Sequence, residues 1–342
     1  MEEKKDIYFI SKKAKVSPAT VSRVFNRSEL VTEKTKKKVL DVCKKFDYMP
    51  SIVASSLRTK RTKYIGFVIP NMVNPFFFEL LKGAEQYAGQ KDHYIVLFNS
   101  ENNYEKEIIF LDAIFKRRID GIIISGIAGG RKDNFFVKEI LKKKLPCVLV
   151  DRYVEGLNIP NVITDNYMGG EIAAQYLLDN ENKKIGIITF DRRIKILKDR
   201  YNGFRSKLNK YNIKEEFIIE LPVDTINILK DLDENIDIIL KKKIDAVFCM
   251  SDLIAINLID FLKNNNIKVP EDLSVIGFDN IPSAELIDPK LTTIAQNIYR
   301  MGELSVKLLL EILNEDYKDI QAEKLSKVLL PELIVRNSCA KK

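Results

Sequence analysis

The chain has 342 residues, of which 46% are hydrophobic, and its formal net charge at pH 7 is +8. This length is too great for one small core, and no run of about 18 apolar residues occurs, so the composition predicts several domains and excludes a membrane span. The charged N-terminal segment has no apolar core of the kind that a secretory signal needs, and we therefore expect a cytoplasmic protein.

Residues that usually carry catalysis or bind metals are scarce. His93 is the only histidine and lies beside a charged pair, so the sequence offers no Ser-His-Asp or Cys-His arrangement. The stretch 126–130 lacks the spacing of a dinucleotide-binding loop. The sequence predicts no metal, no cofactor and no enzymatic activity. The cysteines are far apart, without Cys-x-x-Cys spacing, and we expect reduced, mostly buried thiols at Cys43, Cys147, Cys249 and Cys339.

The positive charge is confined to the N-terminal part of the chain. Residues 1–63 contain 17 Lys and Arg against 7 Asp and Glu, a net +10, whereas the remainder contains 39 against 41, a net −2. A solvated basic face is the ordinary explanation for any one cluster of lysines. Confinement of the whole excess to one small segment instead favours a surface that faces the phosphates of a nucleic acid, with affinity that falls steeply as salt rises.

Two short helices are predicted at the start of the chain. Asp6 can cap the first helix, and Ser17 can cap a second helix that begins at Pro18, because a proline has no N–H to lose in a first turn. Only residues 15 and 16 separate the two helices, which is typical of a helix-turn-helix. The first helix has a helical stripe that can pack, formed by Ile7, Ile10, Ser11 and Ala14.

The second helix has one face that can pack and one that can contact a partner. Val21, Val24 and Phe25 fall on the packing face. A third helix after Thr32 can close the core with a stripe of Val39, Val42, Cys43 and Phe46. The small, polar and basic face of the second helix is then free to enter a major groove, and it consists of Pro18, Ala19, Ser22, Arg23 and Asn26.

The composition of the segment after Pro50 favours a plain linker. Residues 51–58 are too few to form a stable helix on their own. Residues 58–63 are basic and polar without apolar periodicity, so a domain boundary is predicted near Lys63.

From Tyr64 onward, short apolar runs alternate with longer amphipathic ones. This rhythm predicts parallel, doubly wound sheets in two lobes with a cleft between them. Strands are predicted at 64–69, 94–98, 121–125 and 147–150, and again at 184–189, 217–221, 246–250 and 273–278. Helices are predicted near 76–89, 104–117 and 134–143, and then near 167–179, 197–209, 228–241 and 252–264.

Two stretches carry a resemblance to the LacI/GalR family of repressors, 16–26 and 48–57, and the likeness extends from Asp6 to the C-terminus. Two departures lie in the helix-turn-helix, since family members usually have glycine at the position of Lys15 and alanine at that of Ser11. A lysine in a left-handed turn position costs on the order of 1 kcal/mol, so the turn should be strained or shaped differently.

The resemblance implies the domain organisation. It implies a small all-α helix-turn-helix head at 1–50, a hinge helix and linker at 51–63, and a two-lobed α/β core similar to type I periplasmic sugar-binding proteins. Three chain crossings, near 161–165, 288–296 and 328–335, would join the lobes and permit them to rotate when the cleft fills. The N-terminal lobe would comprise 64–161 plus 294–323, and the C-terminal lobe 162–291 plus 324–342.

The resemblance also implies which residues contact DNA. Residues expected to face bases are Pro18, Ala19 and Arg23. Those expected at phosphates or the groove wall are Ser17, Thr20, Ser22, Asn26, Lys34 and Tyr48. In the hinge helix, ordered when two copies meet on DNA, the expected contacts are Ser51, Ala54 and Leu57, with the leucine as a minor-groove wedge.

Most candidate effector residues follow the carboxyl ends of the predicted strands, where ligands of open α/β sheets bind. Arg200 instead lies in the helix predicted near 197–209, and the resemblance implies that Phe76 and Phe77 help to wall the pocket. The candidates are Phe76, Phe77, Ser125, Asp151, Arg152, Arg200, Ser251 and Asp279. Each polar one has a simpler explanation, since Ser125 and Asp151 could cap turns, Arg200 could be a solvated charge, and helix capping accounts for Ser251. Together, carboxylates and a guanidinium suit a ligand with vicinal hydroxyls. Ile194 and Ile196 stand at positions that are commonly polar in the family.

The sequence thus predicts a transcriptional regulator, most simply a repressor, that binds a pseudo-palindromic operator as a homodimer and responds to a small sugar or sugar derivative. A tetramer and a protein co-regulator, which some relatives use, are left open. The alternatives are a stand-alone sugar-binding protein, which does not account for the basic head, and an enzyme, for which no nucleophile, base or metal is evident.

Overall fold

The computed structural model describes residues 6–26, 30–48, 61–116, 119–126, 135–154, 156–222, 228–235, 238, 243–314 and 322–342. The chain divides into two compact units, one up to Thr62 and one from Lys63 onward. Among the described residues, no helix is both long and apolar enough to cross a membrane.

The described residues of the first unit form three α-helices that begin where the sequence predicts. They are α1 (Ile7–Ala14), α2 (Pro18–Asn26) and α3 (Glu33–Lys45). The caps predicted at Asp6 and Ser17 are confirmed, because each accepts a hydrogen bond from the backbone N–H three residues further on, and Thr32 caps α3 in the same way. These bonds satisfy N–H groups that have no partner within the helix.

The core of the first unit differs from the expected pattern on α2. Val21 and Val24 are buried as predicted, but Phe25 is 39% exposed and Ser22 only 8%. Phe25 stands in the last turn of α2, whereas Ser22 lies beside Val21 and is drawn into the interior. The predicted assignment of Phe25 to the packing face and of Ser22 to the free face is therefore wrong. The remaining buried apolar residues are Ile10, Ala14, Val39 and Cys43.

The turn between α1 and α2 uses a left-handed residue. Lys15 has φ 52° and ψ 50°, and its N–H donates to the carbonyl of Lys12 at 3.3 Å. Ser11, where the family usually has alanine, is buried and donates its hydroxyl to the carbonyl of Tyr8 at 2.8 Å. The strained turn expected from a lysine at this position is present, and Ser11 is accommodated by a bond within its own helix.

The second unit is built on two six-stranded sheets, which confirms the predicted doubly wound α/β class. The first sheet has the order β11-β5-β4-β3-β1-β2 and is parallel throughout. Its strands are β1 (Tyr64–Ile69), β2 (Tyr94–Asn99), β3 (Gly121–Ile124), β4 (Cys147–Val150), β5 (Asn161–Thr164) and β11 (Lys327–Leu329). The helices packed with it are α4 (Pro75–Gln90), α5 (Tyr104–Lys116), α6 (Phe135–Lys142) and α11 (Ile298–Asn314).

The second sheet has the order β12-β10-β9-β8-β6-β7 and is parallel except for β12, which pairs antiparallel with β10. Its strands are β6 (Ile185–Phe190), β7 (Phe217–Leu221), β8 (Ala246–Cys249), β9 (Ser274–Asp279), β10 (Thr292–Ala295) and β12 (Glu332–Ile334). Its helices are α7 (Asn166–Asp179), α8 (Lys195–Lys210), α9 (Ile228–Asp233) and α10 (Asp252–Asn264). A 3₁₀ turn spans Pro282–Glu285, and a short α12 (Ala322–Leu325) precedes β11.

The chain passes between the lobes at or next to the three expected crossings, but the expected lobe boundaries are displaced by a few residues. Residues 162–164 and 327–329 were expected in the C-terminal lobe, but β5 pairs with β4 and β11 pairs with β5, so both lie in the first sheet. Residues 294–295 were expected in the N-terminal lobe, but β10 pairs with β9 in the second sheet. Each of these strands stays within one sheet along its whole length, because pairing with its neighbour satisfies its backbone N–H and C=O groups. The chain crosses to the other lobe only after the strand ends.

Candidate functional site

The free face of α2 presents part of the set expected to contact DNA. Ala19 and Arg23 are exposed on it, whereas Ser22 is buried and therefore turned away from a groove. At the helix start, the hydroxyl of Ser17 lies 2.9 Å from that of Thr20. Other members of the set are located as follows: Pro18 and Tyr48 are half-buried, Lys34 is exposed on α3, and Asn26 ends α2. The expected hinge contacts Ser51, Ala54 and Leu57 lie outside the described residues.

In the second unit, a cleft of about 90 Å³ lies between the carboxyl ends of the two sheets. Seven of the eight candidate effector residues line it. From the first lobe they are Phe76 and Phe77 in the first turn of α4 and Asp151 and Arg152 after β4, and from the second lobe Arg200 on α8, Ser251 after β8 and Asp279 at the end of β9. Parallel strands with their carboxyl ends at one edge account for this convergence.

The eighth candidate, Ser125, is fully buried and does not line the cleft. It follows β3, and its N–H donates to the carbonyl of Val68 at 2.8 Å. Its hydroxyl has no hydrogen-bond partner among the described residues. The structure therefore sets Ser125 apart from the residues that line the cavity.

Arg200 is held rigidly in the floor of the cleft. Its side chain is 3% exposed, its Nε donates to Asn166 Oδ1 at 2.7 Å, and its Nη1 donates to the carbonyl of Met250 at 2.6 Å. The guanidinium lies 3.7 Å from the ring centroid of Phe278. Burial lowers the pKa of Arg200, while the charges of the neighbouring aspartates raise it. These contacts exclude the alternative of a solvated helix charge.

A glycine contact fixes the helix that carries Arg200. A Cβ at Gly170 on α7 would overlap the carbonyl oxygen of Arg200, and a Cβ at Gly203 on α8 would overlap that of Tyr167. The two helix backbones can approach this closely only because neither glycine has a side chain. The depth of Arg200 in the cleft thus depends on the α7–α8 contact.

Asp279 combines a strained backbone with a polar contact that the sequence analysis missed. Its φ is 122°, a value that non-glycine residues rarely adopt and that is often found at functional sites. Its Oδ1 accepts from Gln296 Nε2 at 2.7 Å and lies 3.4 Å from Arg200 Nη1. Burial raises the pKa of Asp279, and Arg200 and Gln296 lower it. Gln296 directly follows β10, so the rule of searching strand ends could have found it.

Asp151 faces this pair from the opposite lobe. It has φ 64°, and burial raises its pKa to about 6 although the charges of Arg152 and Arg200 lower it. The pKa of Arg152 is lowered, mainly by burial, and its Nε has no hydrogen-bond partner among the described residues. The cleft therefore contains a buried guanidinium N–H without a protein acceptor among the described residues, beside the carboxylate of Asp151, which suits a polar ligand.

Ser251 and its neighbour Asp252 have structural roles. Ser251 Oγ accepts from the N–H of Leu253 at 3.3 Å, so the capping explanation holds for it. Asp252 is fully buried, and its carboxylate accepts from the Thr293 hydroxyl at 2.5 Å and from the N–H of Ile281 at 3.0 Å. Burial raises its pKa well above the ordinary value. Asp252 thereby anchors the loop that follows Asp279.

The rest of the cleft wall is largely apolar. Ile194 and Ile196, which stand at positions that are commonly polar in the resembling family, line it beside Phe190, Leu197, Ile228 and Leu253. Asn74 also lines it and caps α4, since its Oδ1 accepts from the N–H of Phe76 at 3.0 Å. The described part of the chain contains no cluster of three or more acidic, His or Cys side chains that could hold a metal ion.

Comparisons with known proteins agree with both units. The sequence model of the family of bacterial regulatory proteins, lacI family, matches residues 6–51. The sequence model of the periplasmic binding protein-like domain matches residues 174–339. The chain is 36% identical over 332 residues to the HTH-type transcriptional regulator RegA of Clostridium saccharobutylicum, covering 96% of this chain and 97% of that protein. It is 33% identical over 339 residues to the HTH-type transcriptional repressor PurR of Mannheimia succiniciproducens, covering 97% and 98%.

Solved structures show the same architecture. A LacI family transcriptional regulator from Enterococcus faecium with bound ribose is 29% identical, with a TM-score of 0.71 over 82% of this chain and 99% of that one. The lac repressor dimer bound to operator and an anti-inducer matches with a TM-score of 0.79 at 20% identity, over 98% of this chain and 98% of that one. At this identity the match shows a shared fold and nothing more.

These relatives are transcriptional regulators rather than enzymes. Their likeness extends over nearly the whole length of the chain, through the helix-turn-helix and both lobes. The chain belongs to the LacI family of bacterial regulatory proteins and is a DNA-binding transcriptional regulator with a periplasmic-binding-protein-like domain.

Proposed function

We propose that the protein is a repressor that binds a pseudo-palindromic operator as a homodimer and that a small sugar of pentose size in the cleft controls its affinity for DNA. The observation that carries the effector part is the convergence of Asp151 from one lobe with Arg200 and Asp279 from the other on one small cavity. Carboxylates accept from sugar hydroxyls, and a planar guanidinium donates in pairs.

The size and wall of the cavity favour a small effector. A volume of about 90 Å³ suits a monosaccharide better than an oligosaccharide. Phe76, Phe77 and Ile196 offer apolar surface against which the C–H face of a sugar ring can pack. Ribose bound to the regulator from Enterococcus faecium supports a pentose as the first compound to test.

The DNA part of the proposal uses the exposed residues of α2. Ala19 and Arg23 would reach base edges, while Ser17, Thr20 and Lys34 would contact phosphates or the groove wall. Two copies would present two α2 helices about one helical turn of DNA apart. The name of PurR as a repressor supports repression, and a chromosomal target supports a cytoplasmic location. Leu57 and its hinge neighbours would add minor-groove contacts.

Selection from random duplexes, followed by binding titrations, tests the proposal. We expect enrichment of an inverted repeat whose affinity changes when D-ribose or another small sugar is added, with a coupling of about 1 to 3 kcal/mol. A thermal-shift series of sugars, sugar phosphates and sugar acids identifies the effector, because a ligand of the folded state raises the melting temperature. Enrichment of no inverted repeat overturns the proposal of a sequence-specific repressor.

A further inference from the structure

Three side chains connect the two lobes beside the cleft. Tyr153 belongs to the first lobe, in the segment between β4 and β5, and Lys195 and Asp199 lie one turn apart on α8 in the second lobe. The hydroxyl of Tyr153 donates to Asp199 Oδ2 at 3.2 Å. Lys195 Nζ donates to Asp199 Oδ1 at 2.6 Å and lies 5.6 Å from the centroid of the Tyr153 ring.

The chemistry of these three groups makes the contact directional. The ion pair with Lys195 fixes the orientation of the Asp199 carboxylate, and a hydrogen bond to a charged acceptor is stronger than one to a neutral acceptor. Burial raises the pKa of Tyr153, so its phenol remains a donor at neutral pH. Burial alone would lower the pKa of Lys195, but hydrogen bonds to Asp199 and Tyr153 raise it, so the ammonium stays charged.

The contact is adjacent in sequence to the cleft on both sides. Tyr153 directly follows Arg152, and Asp199 directly precedes Arg200, so each partner is one residue from a side chain that lines the cavity. Opening of the cleft moves β4 away from α8 and must therefore separate the phenol from the carboxylate. Closure of the cleft restores the hydrogen bond between Tyr153 and Asp199, and neither of these residues lines the cavity.

We propose that Tyr153, Asp199 and Lys195 form an interlobe clasp that holds the cleft closed and slows the departure of whatever occupies it. The effect on ligand departure rests on the proposed effector function, whereas the effect on closure does not. The clasp predicts that closed molecules are populated without effector and that removal of one hydroxyl shifts the population toward open ones.

The separation of two spin labels across the cleft mouth tests closure without any ligand. Val73→Cys and Arg193→Cys place the labels on exposed residues next to Asn74 and Ile194, which line the cleft on opposite lobes. Labelling uses the full chain with Cys339→Ser, since Cys339 is partly exposed whereas the other three cysteines are buried. We expect Tyr153→Phe and Asp199→Asn each to move the distance distribution toward longer and broader separations.

Tyr201→Phe is the matched control. Its hydroxyl also donates to a carboxylate, that of Glu215 at 2.8 Å, but both residues belong to the second lobe. Its loss should leave the label separation unchanged. A distribution for Tyr153→Phe that coincides with that of the unsubstituted protein overturns the clasp. A shift of equal size in Tyr201→Phe also overturns it, because the change would then not be specific to the interlobe bond.

D-ribose serves as the probe for the effect on binding. In stopped-flow measurements, we expect Tyr153→Phe to release ribose about fivefold faster with little change in the association rate, as the loss of one hydrogen bond predicts. An unchanged release rate contradicts the retention role. If ribose does not bind the unsubstituted protein, the proposed effector is wrong, and the label separations still decide whether the clasp exists.

Discussion

Arg200 Nη1 lies 3.4 Å from Asp279 Oδ1, and both side chains are almost completely buried. A guanidinium and a carboxylate removed from water in this way each depend on the other and on their hydrogen bonds. The pair comes from α8 and the end of β9, so the second lobe delivers it to the cleft as a preassembled unit.

Loss of Arg200 should destabilise the second unit strongly. We expect Arg200→Ala to lower the free energy of unfolding by about 3 to 5 kcal/mol, because Asp279 would be left buried without its counter-charge. Urea unfolding followed by circular dichroism measures the change. Arg205→Ala, on the same helix, removes a half-exposed arginine 3.9 Å from Glu215 and should cost about 1 kcal/mol or less. Equal losses for the two variants would contradict the importance of the buried pair.

Asp151 should make stability depend on pH. Its pKa is raised from 3.8 to about 6, so between these values the folded state binds more protons than the unfolded state. The free energy of unfolding should therefore fall as pH rises from about 4 to 6, by up to about 3 kcal/mol. Asp151→Asn removes this contribution and tolerates the positive φ. Denaturant unfolding between about pH 4 and 6 should show that the free energy of unfolding falls more steeply in the unsubstituted protein than in Asp151→Asn. Parallel curves of free energy against pH for the two proteins would refute a raised pKa of Asp151.

The contact between α7 and α8 should tolerate no side chain. We expect Gly170→Ala to lower the melting temperature and to weaken ligand binding, since its methyl group would overlap the Arg200 carbonyl and push α8 outward. Gly89→Ala on α4 is the comparison, because nothing lies within 4 Å of a Cβ there. That change should stabilise the protein by up to about 1 kcal/mol. A neutral Gly170→Ala would show that the helices can separate freely.

Arg23 should contribute to sequence preference and Lys34 to general affinity. We expect Arg23→Ala to reduce the ratio of operator to random-duplex affinity by about tenfold, as the loss of a base contact does. Lys34→Ala should weaken both affinities together and reduce the slope of log affinity against log salt by about one. Titrations at several salt concentrations separate the two effects. A preserved ratio in Arg23→Ala would argue against a base contact.

The sequence predicted the features that depend on residues close together in the chain, within one helical turn or one strand. The predicted caps at Asp6 and Ser17 each involve a bond to the third residue further along the chain, so the residue type and its spacing suffice. Apolar runs indicated the parallel strands, and the rule that ligands bind at strand ends selected Asp151 and Asp279. The strand–helix rhythm indicated two lobes, and the resemblance to a known family then supplied the way in which the chain crosses between them.

Only the tertiary structure decided the features that depend on residues far apart in the chain. β11 joins the first sheet by pairing Val328 with Ile163, and no local pattern reports which of two sheets receives a strand. The burial of Ser22, the bond from Gln296 to Asp279 and the contact of Tyr153 with Asp199 likewise arise where separate elements meet. Local spacing determines where helices and strands begin and which side chains they offer, whereas long-range packing determines which of those side chains meet.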